Sequence, residues 1–206
     1  LVSRSSCKGK ARVHALEKPG LKHLFGVLPL MMVPFLIVAN QLGITTWLPS
    51  ILLDQGASII DSGLTVGLFW MLGGIGRLAW APLIDKLGYR RMLIISGAGS
   101  AILMSLASLP ITIPMKMALW SSSGFLLGPA YPTTIAWITA VHPGIRGTLS
   151  GIFFSFATLG SFTSAIAVGV LFELFGSQIA QLFLLPFPLF VAVIAFMMRE
   201  LKSSSI

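Results

Sequence analysis

Gly76-Arg77-Leu78-Ala79-Trp80-Ala81-Pro82-Leu83-Ile84-Asp85-Lys86-Leu87-Gly88-Tyr89-Arg90-Arg91 joins two long apolar runs, residues 63–84 and 92–109. Its charged end reads as a tight turn. Asp85 offers oxygens to backbone N–H groups at a helix start, and Gly88 admits a positive φ. Lys86, Arg90 and Arg91 hold the turn among anionic lipid headgroups. Each flanking run approaches or exceeds the roughly 20 residues a helix needs to cross a bilayer. The pattern is therefore helix, short basic turn, helix, with the turn at a membrane surface.

The rest of the chain repeats this pattern. It has 206 residues, 55% hydrophobic and 10% charged, with mean hydropathy +0.92, whereas a soluble domain carries roughly a quarter charged residues. This excludes a soluble enzyme, a disordered tail and a disulfide-stapled secreted domain, since Cys7 is the one cysteine. Six segments are apolar enough to span, about 24–49, 63–84, 92–109, 116–140, 147–172 and 179–198. The expected fold class is an all-α polytopic membrane protein, with residues 23–200 as a compact six-helix bundle joined by short loops. Residues 1–22 form a basic tail or the end of a loop, and 201–206 a second tail. The chain starts at Leu1 with no initiator Met and no signal-peptide core, and reads as a fragment or a processed product. No metal-ligand or cofactor-binding spacing occurs, so neither a metal nor a cofactor is expected.

The net charge of +8 is a topology signal. A nucleic-acid footprint would gather on one domain face, whereas here the basic residues occupy tails and short loops. With the first segment in the cytoplasm, Arg4, Lys8, Lys10, Arg12, Lys18, Lys22, Lys86, Arg90, Arg91, Arg146, Arg199 and Lys202 all fall on that side. Lys116, Asp54, Asp61 and Glu173 fall on the other, and both termini are expected to be cytoplasmic.

Six spans divide into two triplets of opposite orientation, a 3+3 inverted repeat. In transporter folds of this kind, Gly/Pro-interrupted helices at corresponding positions mark the substrate site. The two leading spans match in character. The first carries Pro34, Asn40, Gln41, Gly43 and Trp47; the fourth carries Gly128, Pro129, Tyr131, Pro132, Thr133, Thr134 and Trp137. Each proline removes a backbone N–H and frees a carbonyl one turn earlier, which must then face protein or a wet cavity. Asn40, Gln41, Tyr131, Thr133 and Thr134 supply amides and hydroxyls beside these breaks, and Trp47 and Trp137 supply flat faces with one N–H each, a chemistry suited to sugars and small polar organics. Alternative roles remain open: Trp47 in an interfacial belt, Asn40 and Gln41 as helix-to-helix glue.

The turn around Asp85–Arg91 resembles the signature loop of the major facilitator superfamily, Gly-x-Leu-x-Asp-basic-x-Gly-basic-basic. Leu83, Asp85, Lys86, Gly88 and Arg90 match it and Arg91 extends it, while Ala81 stands where the family usually has Gly. The resemblance covers about residues 24–200. It implies the carboxyl-terminal half of a twelve-helix transporter, with the missing six-helix half as a partner in a lipid bilayer. Phe69-Trp70 before Gly76-Arg77, together with Gly128-Pro129-Ala130-Tyr131-Pro132-Thr133, is similar to the fucose-permease and sodium-dependent glucose transporter branch. Asn40-Gln41-Leu42-Gly43 is similar to facilitative sugar porters. The function implied is transport of a small polar, sugar-like solute by alternating access, as a symporter or a uniporter.

Arg77 is the one charge well inside a span, and such residues are functional hypotheses by default. Its lean toward its own helix N-terminus carries it away from the cytoplasmic surface, which disfavours snorkelling. Structural pairing and a solute or gating contact both stay open. Carboxylates and His are missing near the midplane, so a proton- or sodium-coupling residue would belong to the absent half; facilitated diffusion fits equally. Two readings compete with transport. A truncated half-molecule or partner subunit follows from the missing half. A six-span intramembrane protease would need a base, but His14, His23 and His142 lie in tails or at span edges.

Overall fold

The computed structural model describes residues 21–141 and 143–198; the two tails at 1–20 and 199–206, and His142, lie outside the described residues. The first helix, α1 (Leu21–Asp54), stays helical for 34 residues through Pro29, Pro34 and Pro49. The expected interruptions at Pro34 and Gly43 therefore do not interrupt it. A proline costs one intrahelical bond, and burial of Leu30, Val33, Ile37, Ile44, Leu48, Ile51 and Leu52 along the helix holds it in register with its neighbours. At 1.5 Å per residue α1 is about 50 Å long, more than the hydrocarbon core requires.

Helix α2 (Ile59–Leu87) starts at Ser58, whose side chain accepts the Asp61 N–H at 3.1 Å while its hydroxyl donates to Asp61 Oδ2 at 2.8 Å. These bonds tie down donors that a helix start leaves free. It ends at Gly88, φ +80°, and α3 (Tyr89–Ala107) follows at once. Asp85 lies exposed in the last turn of α2, and Gly88, which precedes α3, has no side chain with which to cap it. The segment expected to be the fourth span forms two shorter helices, α4 (Ile113–Leu127) and α5 (Ala130–Val141), parted at Gly128-Pro129. A short 3₁₀ turn (Pro143–Ile145) leads into α6 (Arg146–Phe175). The last span is α7 (Ser177–Phe183) and α8 (Pro186–Met197), broken just before Pro186. Five stretches, Pro29–Asp54, Ile59–Leu87, Tyr89–Ala107, Arg146–Phe175 and Ser177–Met197, are long and apolar enough to cross a membrane. Strands are absent from the described residues.

Helix α1 packs mainly on α6, α2 on α4, and α3 on α8 and α4, with α8 also touching α1. Glycine sets the closest approaches. The Gly160 Cα faces the Phe35 carbonyl between α6 and α1, and Gly73, Gly76, Gly124 and Gly128 interleave between α2 and α4. A Cβ on Gly97 of α3 would come within 2.5 Å of the Pro188 carbonyl oxygen of α8. Backbones this close gain dispersion contacts that bulkier residues would forbid.

Hydrogen bonds define the two ends. At one, Arg90 donates from Nε to the Ala195 carbonyl (3.2 Å) and from a terminal nitrogen to Phe196 (2.7 Å), with its guanidinium 5.6 Å from the Phe196 ring. The signature loop thus satisfies carbonyls at the C-terminus of α8, where a cation also complements the helix dipole. At the other end, Lys116 Nζ donates to Gln55 Oε1 (2.6 Å) and Gln55 Nε2 donates to Gln181 Oε1 (2.7 Å). Gln181 Nε2 then reaches the Ala107 carbonyl (3.2 Å) and Ser108 Oγ (3.1 Å). This clasp joins four helical segments.

Candidate functional site

A groove of about 420 Å³ opens between α1, α2, α5 and α6. Val38, Gln41 and Leu42 come from α1, Trp70 and Arg77 from α2, Tyr131 from α5, and Phe154, Ala157, Thr158 and Ser161 from α6. Its walls are apolar with a few polar groups, the usual constitution of a small-molecule site. Gln41 is only 5% exposed, yet its amide makes no hydrogen bond among the described residues. Tyr131 rests edge-on against Phe153 at 4.9 Å between ring centroids, and its hydroxyl likewise has no partner among the described residues. The Trp70 indole donates to Thr45 Oγ1 (2.9 Å), and Thr45 donates to the Gln41 carbonyl (2.7 Å), which fixes the ring against α1. Thr158 and Ser161 donate to the carbonyls of Phe154 and Thr158, leaving lone pairs free to accept.

Arg77 is held by the helix break. Its Nε donates to the Gly128 carbonyl at 3.2 Å. That carbonyl has no intrahelical partner because the residue four positions on is Pro132, which lacks an N–H. One face of the guanidinium is thereby anchored, and its terminal nitrogens have no protein partner among the described residues. Asn40 answers a second freed carbonyl. Pro188 leaves Leu184 without its donor, and Asn40 Nδ2 supplies one at 2.8 Å from a fully buried position.

Of the residues singled out in the sequence, the structure brings Gln41, Tyr131 and Arg77 together. Asn40 is interior to the bundle. Thr133 and Thr134 are buried, Thr134 donating to the Ala130 carbonyl at 2.7 Å, and Trp137 is 2% exposed. Trp47 donates to the Ala165 carbonyl at 2.8 Å and lies against Gly169, so it joins α1 to α6 away from the groove. Trp70, Phe154, Thr158 and Ser161 are groove residues that sequence reasoning passed over. Their signal was helical spacing: Trp70 lies seven residues, two turns, before Arg77, and Phe154, Thr158 and Ser161 recur at four and three.

Apolar helices of spanning length and a polar-studded groove between them define a multi-pass integral membrane protein. Residues 5–112 and 30–205 match the Major Facilitator Superfamily, and the chain belongs to that family, which comprises membrane transporters rather than enzymes. It is 28% identical to Protein TsgA of Shigella flexneri over 159 residues, 76% of this chain and 40% of that protein. It is also 28% identical to Protein TsgA of Escherichia coli O157:H7 (strain EC4115 / EHEC) over 170 residues, 82% of this chain and 42% of that protein. The chain thus spans about two fifths of the length of the curated relatives it matches.

Proposed function

We propose that this chain is a six-helix half of a solute transporter, in which α4 and α5 together make the crossing that completes a 3+3 inverted repeat. The pattern of helix packing supports the repeat. Exchanging the first triplet for the second turns α1 on α6 into α4 on α2, and α3 on α4 into α8 on α1, all of which are major contacts. In this reading the residue 23–200 unit has both ends cytoplasmic, the Arg90 end faces the cytoplasm and the Lys116 clasp faces the opposite side. A second six-helix unit, on the same polypeptide or a separate one, covers the exposed faces of α2 and α6. Those faces carry Ile60, Leu64, Met71, Leu78, Phe162 and Ile166 in the open. Gly63 and Gly67 add small residues one turn apart, with free space above them.

The solute is small, polar and organic, of sugar-like size, and it moves by alternating access as the two units rock about the groove. The observation that carries this reading is the meeting of Gln41 and Tyr131, from the two leading spans of the repeat, in one groove with unspent hydrogen-bonding groups. Proton or sodium coupling would draw on the opposite wall; uniport needs no such group. The test is independent of any substrate. Cysteines introduced one at a time by Gln41→Cys and Tyr131→Cys into the complete polypeptide, with Cys7 and any other native cysteine replaced by serine, should react with an impermeant maleimide from either side of sealed vesicles. A cysteine from Ile44→Cys, at a fully buried position, should react from neither. Labelling of the groove positions from one side only refutes alternating access.

A further inference from the structure

We infer that the groove takes an organic anion, its carboxylate held by Arg77 and its hydroxyls by Gln41 and Tyr131; this rests on the transport reading and narrows its substrate class. Among the groove-lining residues Arg77 is the one charged group, and no Asp or Glu accompanies it. Guanidinium cannot shed its proton, so its charge persists whatever the surroundings. Inside a membrane such a charge needs a counter-charge, a wet cavity or a path to the surface. The bond from Nε to the Gly128 carbonyl ties the side chain to the break between α4 and α5, and the residue stands exposed beside the open groove. The bond also leaves the terminal nitrogens as a planar fork, the geometry that binds a carboxylate through two parallel bonds.

Two neighbours make this a built site rather than a stray cation. The Gln41 side chain is 95% buried, lines the same groove and spends none of its hydrogen bonds on the described residues. Its amide opens on the groove and is free to exchange water for a solute's polar groups. The Tyr131 hydroxyl is equally unspent and comes from a third helix. Guanidinium, amide and phenol together offer an excess of donors, while Trp70 and Phe154 offer apolar faces. That combination suits a hydroxylated carboxylate better than a neutral sugar, which would leave the cation uncompensated, and better than an inorganic anion, which would leave the aromatic walls unused.

The experiment measures binding to the complete polypeptide carrying these helices, purified in detergent. D-gluconate and D-glucuronate are compared with D-glucose at constant ionic strength, with tryptophan fluorescence and the melting temperature as readouts. At least one carboxylate should bind and glucose should not compete. Arg77→Gln should weaken the carboxylate about 10- to 100-fold, the range expected when a charged hydrogen-bonding partner is lost. Arg77→Lys should retain the preference for carboxylate over glucose at weaker affinity, because the charge stays and the fork goes. If Arg77→Gln does not reach the membrane, Arg77→Lys and the wild-type preference decide. The inference is overturned if glucose binds wild type and Arg77→Gln alike, or if neither carboxylate binds. Neither outcome touches the cysteine labelling, so failure of the anion assignment and failure of the transport reading are separable.

Discussion

The bond between Asn40 and the Leu184 carbonyl can be tested as a repair of a proline defect. Leu184 and Leu185 keep helical dihedrals (φ −77°, ψ −19°; φ −68°, ψ −39°), so an N–H at position 188 would point back at the Leu184 carbonyl. Pro188 cannot supply it, and Asn40 Nδ2 does so at 2.8 Å from a position with no solvent exposure. Asn40→Ala removes the donor and orphans a buried carbonyl, which costs about 1–3 kcal/mol, offset in part because Asn40 Oδ1, buried with no partner among the described residues, goes with it. Pro188→Ala restores a backbone donor to the same oxygen. In that background Asn40→Ala should cost less by about 1 kcal/mol, near the upper part of the range measured for polar pairs in membrane helices. The small cavity left by either alanine enters both arms of the cycle and cancels. Reversible unfolding in mixed dodecylmaltoside and SDS micelles reads all four free energies. Equal cost of Asn40→Ala in both backgrounds, within about 0.3 kcal/mol, refutes the repair argument.

Three further outcomes are expected from the same measurement. Gly160→Ala places a methyl group against the Phe35 carbonyl and should separate α6 from α1 at a cost of at least about 2 kcal/mol, despite the better helix propensity of alanine; a change below about 0.5 kcal/mol would mean α1 yields freely. Gln181→Leu deletes the centre of the clasp, where one fully buried side chain bonds Gln55, Ala107 and Ser108, and should destabilise by about 2–4 kcal/mol because its partners lose their hydrogen bonds. Gly88→Ala should cost about 1–3 kcal/mol, since φ +80° with ψ 157° is a region that side chains avoid; an unchanged melting temperature would show that the α2–α3 turn can refold around alanine.

The sequence made the membrane class and most span positions readable, because an apolar run of spanning length has few other uses and the basic turn at Asp85–Arg91 punctuates it. It was less informative about where a proline breaks a helix. Pro34 and Pro132 look alike in the chain, yet α1 runs straight through Pro34, while the fourth span parts at Gly128-Pro129. Long burial against α6 and α8 outweighs one lost hydrogen bond, and at the other site a glycine stands directly before a proline. The groove was legible in Gln41 and Tyr131 and not in Trp70 or the α6 residues, since which face of α2 or α6 turns toward α1 is a matter of packing that periodicity leaves undetermined. Hydrophobic residues surround these helices on nearly every side, so the amphipathic signal that orients a soluble helix is weak.

Adjacent residues Asn40 and Gln41 show how glue and cavity lining can be told apart. They sit about 100° apart around one helix, so they cannot serve the same neighbour. What separates them is demand. Every proline at position i frees the carbonyl at i−4, and the sequence alone says which carbonyls those are. Pro186 frees Leu182, which the Leu185 N–H takes up at 3.2 Å; Pro188 frees Leu184, taken by Asn40; and Pro132 frees Gly128, taken by Arg77 Nε. Once those acceptors are matched to donors, the polar groups of the groove divide. Asn40 and one nitrogen of Arg77 are committed to the scaffold, whereas the Gln41 amide, the Tyr131 hydroxyl and the remaining Arg77 nitrogens answer no freed carbonyl. These groups open on the groove, where Arg77 is exposed and Tyr131 half-buried, so water serves them until a solute with matching groups takes its place.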